Sequence, residues 1–112
     1  MVVENELSDA EVDLIFKALA DSTRRDIMRR SLVTEASVSE LADAYDMSFA
    51  AVQKHVAVLE AAGLITKRTH GRQRLVTANP ETLAKARDLL DRYEDLWRSR
   101  IDRLDALIAE QP

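Results

Sequence analysis

The chain has 112 residues, enough for one domain and too few for two. Hydrophobic residues make up 46% and charged residues 32%, a balance that folds, and the lack of cysteine removes disulfides, thiolate metal sites and cysteine nucleophiles. With no cationic-then-apolar leader and no apolar run near the ~20 residues of a membrane span, the expected setting is soluble and cytoplasmic, with no membrane partner.

Only two glycines and two prolines interrupt the chain, so helix should dominate. Residues 1–7 read as a short polar lead-in. Ser8 and Glu11 then form a capping box opening a helix over 9–20, with Val12, Ile15, Phe16 and Leu19 turned toward the core or a partner. Asp21 caps a second helix over 22–33 that carries Ile27, Met28 and Leu32 inward and Arg24, Arg25, Arg29 and Arg30 largely outward. Those arginines could touch phosphates; solvation, or pairing with Asp21, Asp26 and acids of other helices, is the simpler account. Ser37 and Glu40 form a second capping box, starting a short helix with Val38, Leu41, Ala42 and Tyr45. It should stop near Asp46, where a tight turn calls for a positive φ that Asp tolerates.

Ser48 caps the next helix, SFAAVQKHVAVLEAAGL. A period of 3.6 puts Val52, Val56 and Leu59 on one face and Ala50, Gln53, Lys54 and Ala57 on the other. Gly63 ends it in the left-handed position expected after a helix. Two strands, about 64–69 and 72–77, flank His70-Gly71 as a hairpin. Asn79 as cap and Pro80 as first helical residue begin a last helix reaching about 109, roughly 45 Å long. Its Leu83, Ala86, Leu90, Tyr93, Trp97, Ile101, Leu104 and Ile108 step mostly by three and four, a seam that calls for a second copy of the chain. The pattern is mainly α with a small β-hairpin in the order ααααββα, a winged helix-turn-helix. One domain spans 1–112, with the helix-turn-helix at 38–63, the wing at 64–78 and a dimerisation helix at 80–109.

Charge is segregated along this order. Residues 47–79 hold Lys54, Lys67, Arg68, Arg72 and Arg74 against Glu60 alone, whereas the whole chain is net −4. A basic unit on an acidic frame fits a surface that docks on the phosphates of duplex DNA in one orientation.

The strings FKALADSTRRDIM, SVSELA and MSFAAVQKHVAVLEAAGL, with the Gly71-Arg72 pair, resemble the ArsR/SmtB family of winged-helix repressors from about Ile15 to Ile108. The resemblance implies a homodimeric repressor on a pseudo-palindromic operator. Ser22 stands where the family usually has Pro, Gln53 where it has Ser and Val56 where it has Leu, so operator preference does not carry over. Metal-sensing members use a Cys pair on the third helix or His and carboxylate ligands on the last one. Here the third helix begins Ser37, Val38, Ser39, Glu40 and the last has no His, so no metal or other cofactor is implied. A small-molecule or protein effector stays open.

The DNA-binding set expected from this reading is Ser48, Ala50, Ala51, Gln53, Lys54, His55, Lys67, Arg68, Arg72 and Arg74. Gln53 suits bidentate pairing with adenine, Lys54 suits guanine or phosphate, and Ala50 and Ala51 allow close approach to the major groove. Ser48 caps the helix and offers its backbone N–H to a phosphate. His55, at the edge of the apolar stripe, reads alone as a packing residue; the resemblance gives it a DNA-backbone role. Lys67, Arg68, Arg72 and Arg74 should act on phosphate, one arginine reaching the minor groove, with Arg72 and Arg74 on the same side of their strand. His70 at the hairpin tip reads as solvated or near phosphate.

Leu90, Tyr93, Trp97, Ile101, Leu104 and Ile108 form the expected dimer contact. Asp91, Glu94, Asp95, Asp102 and Asp105 could bind a cation, yet Arg87, Arg92, Arg98, Arg100 and Arg103 are interleaved, so pairing is the simpler reading. An enzyme is a poor reading, with two isolated His and no phosphate-binding glycine loop. A winged-helix module for protein assembly is the competing one, and it would need no basic hairpin.

Overall fold

A computed structural model describes residues 6–111. The elements are α1 (Asp9–Leu19), α2 (Ser22–Val33), β1 (Ala36–Ser37), α3 (Val38–Ala42), α4 (Phe49–Ala61), β2 (Ile65–His70), β3 (Gln73–Ala78) and α5 (Pro80–Ala109). The expected helices and hairpin are present. The addition is β1, which joins the hairpin to make a three-stranded antiparallel sheet in the order β1-β3-β2. Two residues of strand have no periodicity to read; β1 exists because Ala36 and Ser37 lie opposite Val76 and Leu75.

Local chemistry starts each helix. Both capping boxes form, Ser8 with Glu11 and Ser37 with Glu40, and the side chains of Asp21 and Ser48 accept from the N–H groups of Arg24 and Ala51. Asn79 departs from expectation: its side chain makes no capping bond, and its own N–H donates to the Leu64 carbonyl at 2.9 Å. Pro80 alone sets that start. Asp46 also departs, since among the described residues only Gly63 and Gly71 have positive φ. The α3–α4 turn is reached through Asp43 at φ −63°, ψ −20°, so no left-handed residue is needed there.

The core gathers Ile15 and Ala18 of α1, Ile27 and Met28 of α2, Leu41 of α3, Val52, Val56 and Leu59 of α4, and Ile65 and Val76 of the sheet. Leu7 packs against this core and Glu6 pairs with Arg92 of α5, so the lead-in is anchored from there on; residues 1–5 of it lie outside the described residues. Leu32, expected inward, is 51% exposed. Ser31 takes the buried place and donates its hydroxyl to the Ile27 carbonyl at 2.8 Å. Phe16 is exposed as well.

The α2 arginines are structural. Arg24 donates to the carbonyls of Ala18 and Lys17, and Arg25 to that of Leu19, so they cap the unsatisfied C-terminal end of α1. Arg29 and Arg30 clasp Asp26, which also accepts from the Tyr45 hydroxyl at 2.5 Å. This cluster ties α2 to the α3–α4 turn.

Only the start of α5 packs on the domain, with Ala86 its one buried residue among those described. The radius of gyration is 19.4 Å, against about 13 Å for a compact chain of this length. No described helix is long and apolar enough to cross a membrane.

Hydrogen bonds from Arg30, Tyr45 and Arg29 hold the Asp26 carboxyl well below the usual carboxylate range, and burial, followed by the bond to Asp26, pushes the Tyr45 phenol up to about 12. The unfolded chain therefore takes up a proton at Asp26 at a higher pH than the folded chain does. The stabilisation from Asp26 is complete above its unfolded pKa and is lost as pH falls through the folded one. Asp26→Asn should lower the urea midpoint at neutral pH, and the gap to the wild type should narrow between about pH 6 and about pH 3. A gap of constant size over that range would assign the loss to something other than the ionised carboxylate.

Candidate nucleic-acid interface

The helix that would read DNA is α4, and its inner face fixes it. Val52, Val56 and Leu59 have no accessible surface, and α1, α2, α3 and β2 all pack on α4. Ala50, Gln53, Lys54 and Ala57 are exposed, as the 3.6 period requires, while Ala51 and His55 are half-buried. Ser48 caps the helix by accepting from the Ala51 N–H at 3.1 Å. At the other end the Gly63 N–H donates to the Glu60 carbonyl at 2.9 Å and the Leu64 N–H to the Leu59 carbonyl at 3.1 Å. This closure needs a left-handed residue, and Gly63 supplies it at φ +75°. It aims Leu64 and Ile65 into the core and starts the wing.

His55 turns toward the α1–α2 corner. Arg24 Nη1 donates to His55 Nδ1 at 3.3 Å, and Asp21 Oδ2 lies 3.9 Å from the same nitrogen. Arginine cannot accept, so Nδ1 can only be the acceptor in this bond. The packing role read for His55 from its place on the stripe is the one this geometry gives it.

The hairpin closes one residue later than expected. His70 pairs with Gln73, so the turn is Gly71-Arg72, with Gly71 at φ +63°. Arg72 therefore lies in the turn, not in a strand beside Arg74. Residues directly opposite in an antiparallel pair share a face, so Lys67 and Arg74 lie with the buried Ile65 and Val76 on the core side of the sheet. Arg68 points the other way and makes a bidentate pair with Glu35, both bonds 2.8 Å long. That pair holds the Glu35 carboxyl below the ordinary carboxylate range. The side chain of Lys67 is only 14% exposed, with Nζ 3.6 Å from the Glu60 carboxylate of α4.

The expected set thus divides. Arg72, Arg74, Lys67 and Gln53 line one hollow of about 250 Å³ between the wing, the start of α3 and the first turn of α4. Arg68 is not brought to it. Among the described residues Lys54, Arg72 and Arg74 form no ion pair, while Lys67 and Arg68 each have an acidic partner. Phe49 and Gln73 line the same hollow and were absent from the set read off the sequence. Phe49 was legible in principle, because it precedes Gln53 by four and shares its face. Gln73 depended on where the turn falls.

Part of the acid on α5 pairs along the helix, Arg87 with Asp88 and Asp91 and Arg98 with Glu94, while Asp95, Asp102 and Asp105 have no ion pair among the described residues. No described group of three His, Asp or Glu side chains could hold a metal.

A helix fixed by one buried face, presenting polar groups beside a basic hairpin, defines a winged helix-turn-helix DNA-binding protein. A helix-turn-helix domain family matches residues 19–68. The HTH-type transcriptional regulator YuzN of Bacillus subtilis is 42% identical over 78 residues, covering 63% of this chain and 85% of YuzN. The arsenical resistance operon repressor of Escherichia coli is 30% identical over 95 residues, covering 84% of this chain and 79% of the repressor. The structure of an ArsR-like transcriptional regulator from Rhodococcus sp. RHA1 matches with a TM-score of 0.79 at 31% identity, covering 88% of this chain and 92% of that one. The chain belongs to the ArsR family of helix-turn-helix transcriptional regulators.

Proposed function

We propose that this regulator is a repressor that binds a pseudo-palindromic operator in the cytoplasm as a homodimer, placing two α4 helices in successive major grooves roughly 34 Å apart. The observation that carries the reading is the exposed Gln53 on a helix locked from behind, flanked by Lys54, Arg72 and Arg74, which form no ion pair among the described residues. Gln53 reads adenine, Lys54 takes guanine or a phosphate, and Ala50 and Ala51 let the helix approach. Arg72 and Arg74 grip the backbone from the wing, with Lys67 behind them. Ser48 presents a helix N-terminus to phosphate. The resemblance to the Escherichia coli repressor supports repression by occupancy of a promoter. The lack of a transition-metal response is supported by the side chains at the family's metal positions, Ser37, Val38, Ser39 and Glu40, and by an α5 without His.

The dimer reading rests on α5. Leu90, Tyr93, Trp97, Ile101, Leu104 and Ile108 continue, into solvent, the face on which Leu83 and Ala86 pack against the domain. Leu14 and Phe16 of α1 and Leu96 and Leu107 of α5 are exposed too, more apolar surface than a soluble monomer leaves open.

Selection of bound sites from random duplex DNA should yield a two-fold symmetric consensus, and a failure to enrich any sequence would overturn the operator reading. On the selected site Gln53→Ala should relax preference at one base pair, at a cost of about 1–3 kcal/mol. Arg72→Ala should weaken binding to all duplexes alike and flatten the slope of log K against log salt by about 0.9, whereas Arg68→Ala should change that slope less. Equal slopes for wild type and Arg72→Ala would remove Arg72 from the phosphate contacts. Trp97 is 57% exposed in the single chain. Dilution should shift its emission to the red as the dimer separates, and solvent-like emission at every concentration would argue for a monomer.

A further inference from the structure

We propose that Phe49 is a base-reading residue, contacting the C5-methyl group of a thymine within two base pairs of the adenine read by Gln53. This rests on the proposed entry of α4 into the major groove and adds to it a group of different chemistry. Phe49 is the first residue of α4, directly after the Ser48 cap, and it is 48% exposed. Half of a phenyl ring in water at a helix start adds little to the fold, because the apolar face of α4 is already closed by Val52, Val56 and Leu59. The ring opens instead onto the hollow that Gln53, Arg72, Gln73 and Arg74 also line.

The spacing suits a joint contact. Phe49 and Gln53 are one helical turn apart, about 6 Å along the axis, against roughly 3.4 Å between base pairs. In the major groove thymine is the one base that presents a methyl group, and apolar side chains are what read it. Gln53 suits the donor and acceptor pair of adenine, so the two residues together specify an A·T-rich step. The cations beside them hold the backbone without choosing sequence.

The test begins with the site selected from random DNA by the full-length protein. Each thymine is replaced in turn by deoxyuridine, which removes the methyl group and nothing else. One position per half-site should lose affinity by about fourfold, the equivalent of one buried methyl group. Phe49→Ala should bind the thymine and uracil sites equally, with its salt slope unchanged, and Phe49→Leu should keep part of the discrimination. A second measurement uses the wild-type protein: 5-bromouracil at the sensitive position should cross-link to Phe49 on irradiation.

Equal affinity for every deoxyuridine site, discrimination that persists in Phe49→Ala, or a cross-link to a different residue would each overturn the role of Phe49 while leaving the operator reading intact. Selection that enriches no sequence would overturn both.

Discussion

Val52, Val56 and Leu59 are closed off from solvent completely, and the remaining elements are arranged around that fact. Each such side chain contributes on the order of 1.5–3 kcal/mol through burial, and the three lie on one stripe of α4. Because α1, α2, α3 and β2 all press on this stripe, the helix can neither roll nor slide without opening the core. The outward face therefore has a fixed azimuth relative to the domain. Arg24 extends the restraint, joining the last carbonyls of α1 to the ring of His55 on α4. Rigid presentation of polar groups lowers the ordering cost of binding, which is the condition under which few side chains can discriminate among base pairs.

The hairpin divides its cations by position. Lys67 and Arg68, in the middle of β2, are spent on Glu60 and Glu35 and so brace the wing against α4 on one face and against the residue preceding β1 on the other. Arg72 and Arg74, nearer the turn, form no ion pair among the described residues. Alternation in the strand produces the split: Lys67 and Arg68 are neighbours in sequence and lie on opposite faces of the sheet. A wing without braces would lose its orientation, and one with every cation neutralised would lose its attraction for phosphate.

What the sequence reveals, and what it hides, follows from the range of each interaction. Ser8 with Glu11, Ser37 with Glu40, Ser48 and Gly63 are governed by partners within five residues, and the elements they bound are where their chemistry puts them. The face of α4 follows from its period. The departures at Leu32, β1 and Arg68 are tertiary. Leu32 lost its place to Ser31 because other helices decide how α2 is rotated, and β1 is a strand only because β3 lies beside it. Arg68 looked like one more basic residue of a wing until its partner, 33 positions earlier in the chain, was adjacent to it. Charge counted along a sequence overstates the free charge of a site whenever distant acids fold onto it.

The exposed apolar surface of α5 is wider than its seam. At about 100° per residue, the six seam residues from Leu90 to Ile108 cover an arc of about 80°, which one packed helix can fill. Leu96 and Leu107 are also exposed and lie beyond that arc, extending it to about 140°. In the proposed homodimer an arc of that width leaves room for a second packing element beside the α5 of the partner chain. Exposed Leu14 and Phe16 on α1 are apolar groups of the right kind to share it. A partner held by two helices resists rotation about the α5 axis, which a single seam permits. In the proposed homodimer that restraint would matter, because two α4 helices can meet successive grooves only while their relative angle is fixed.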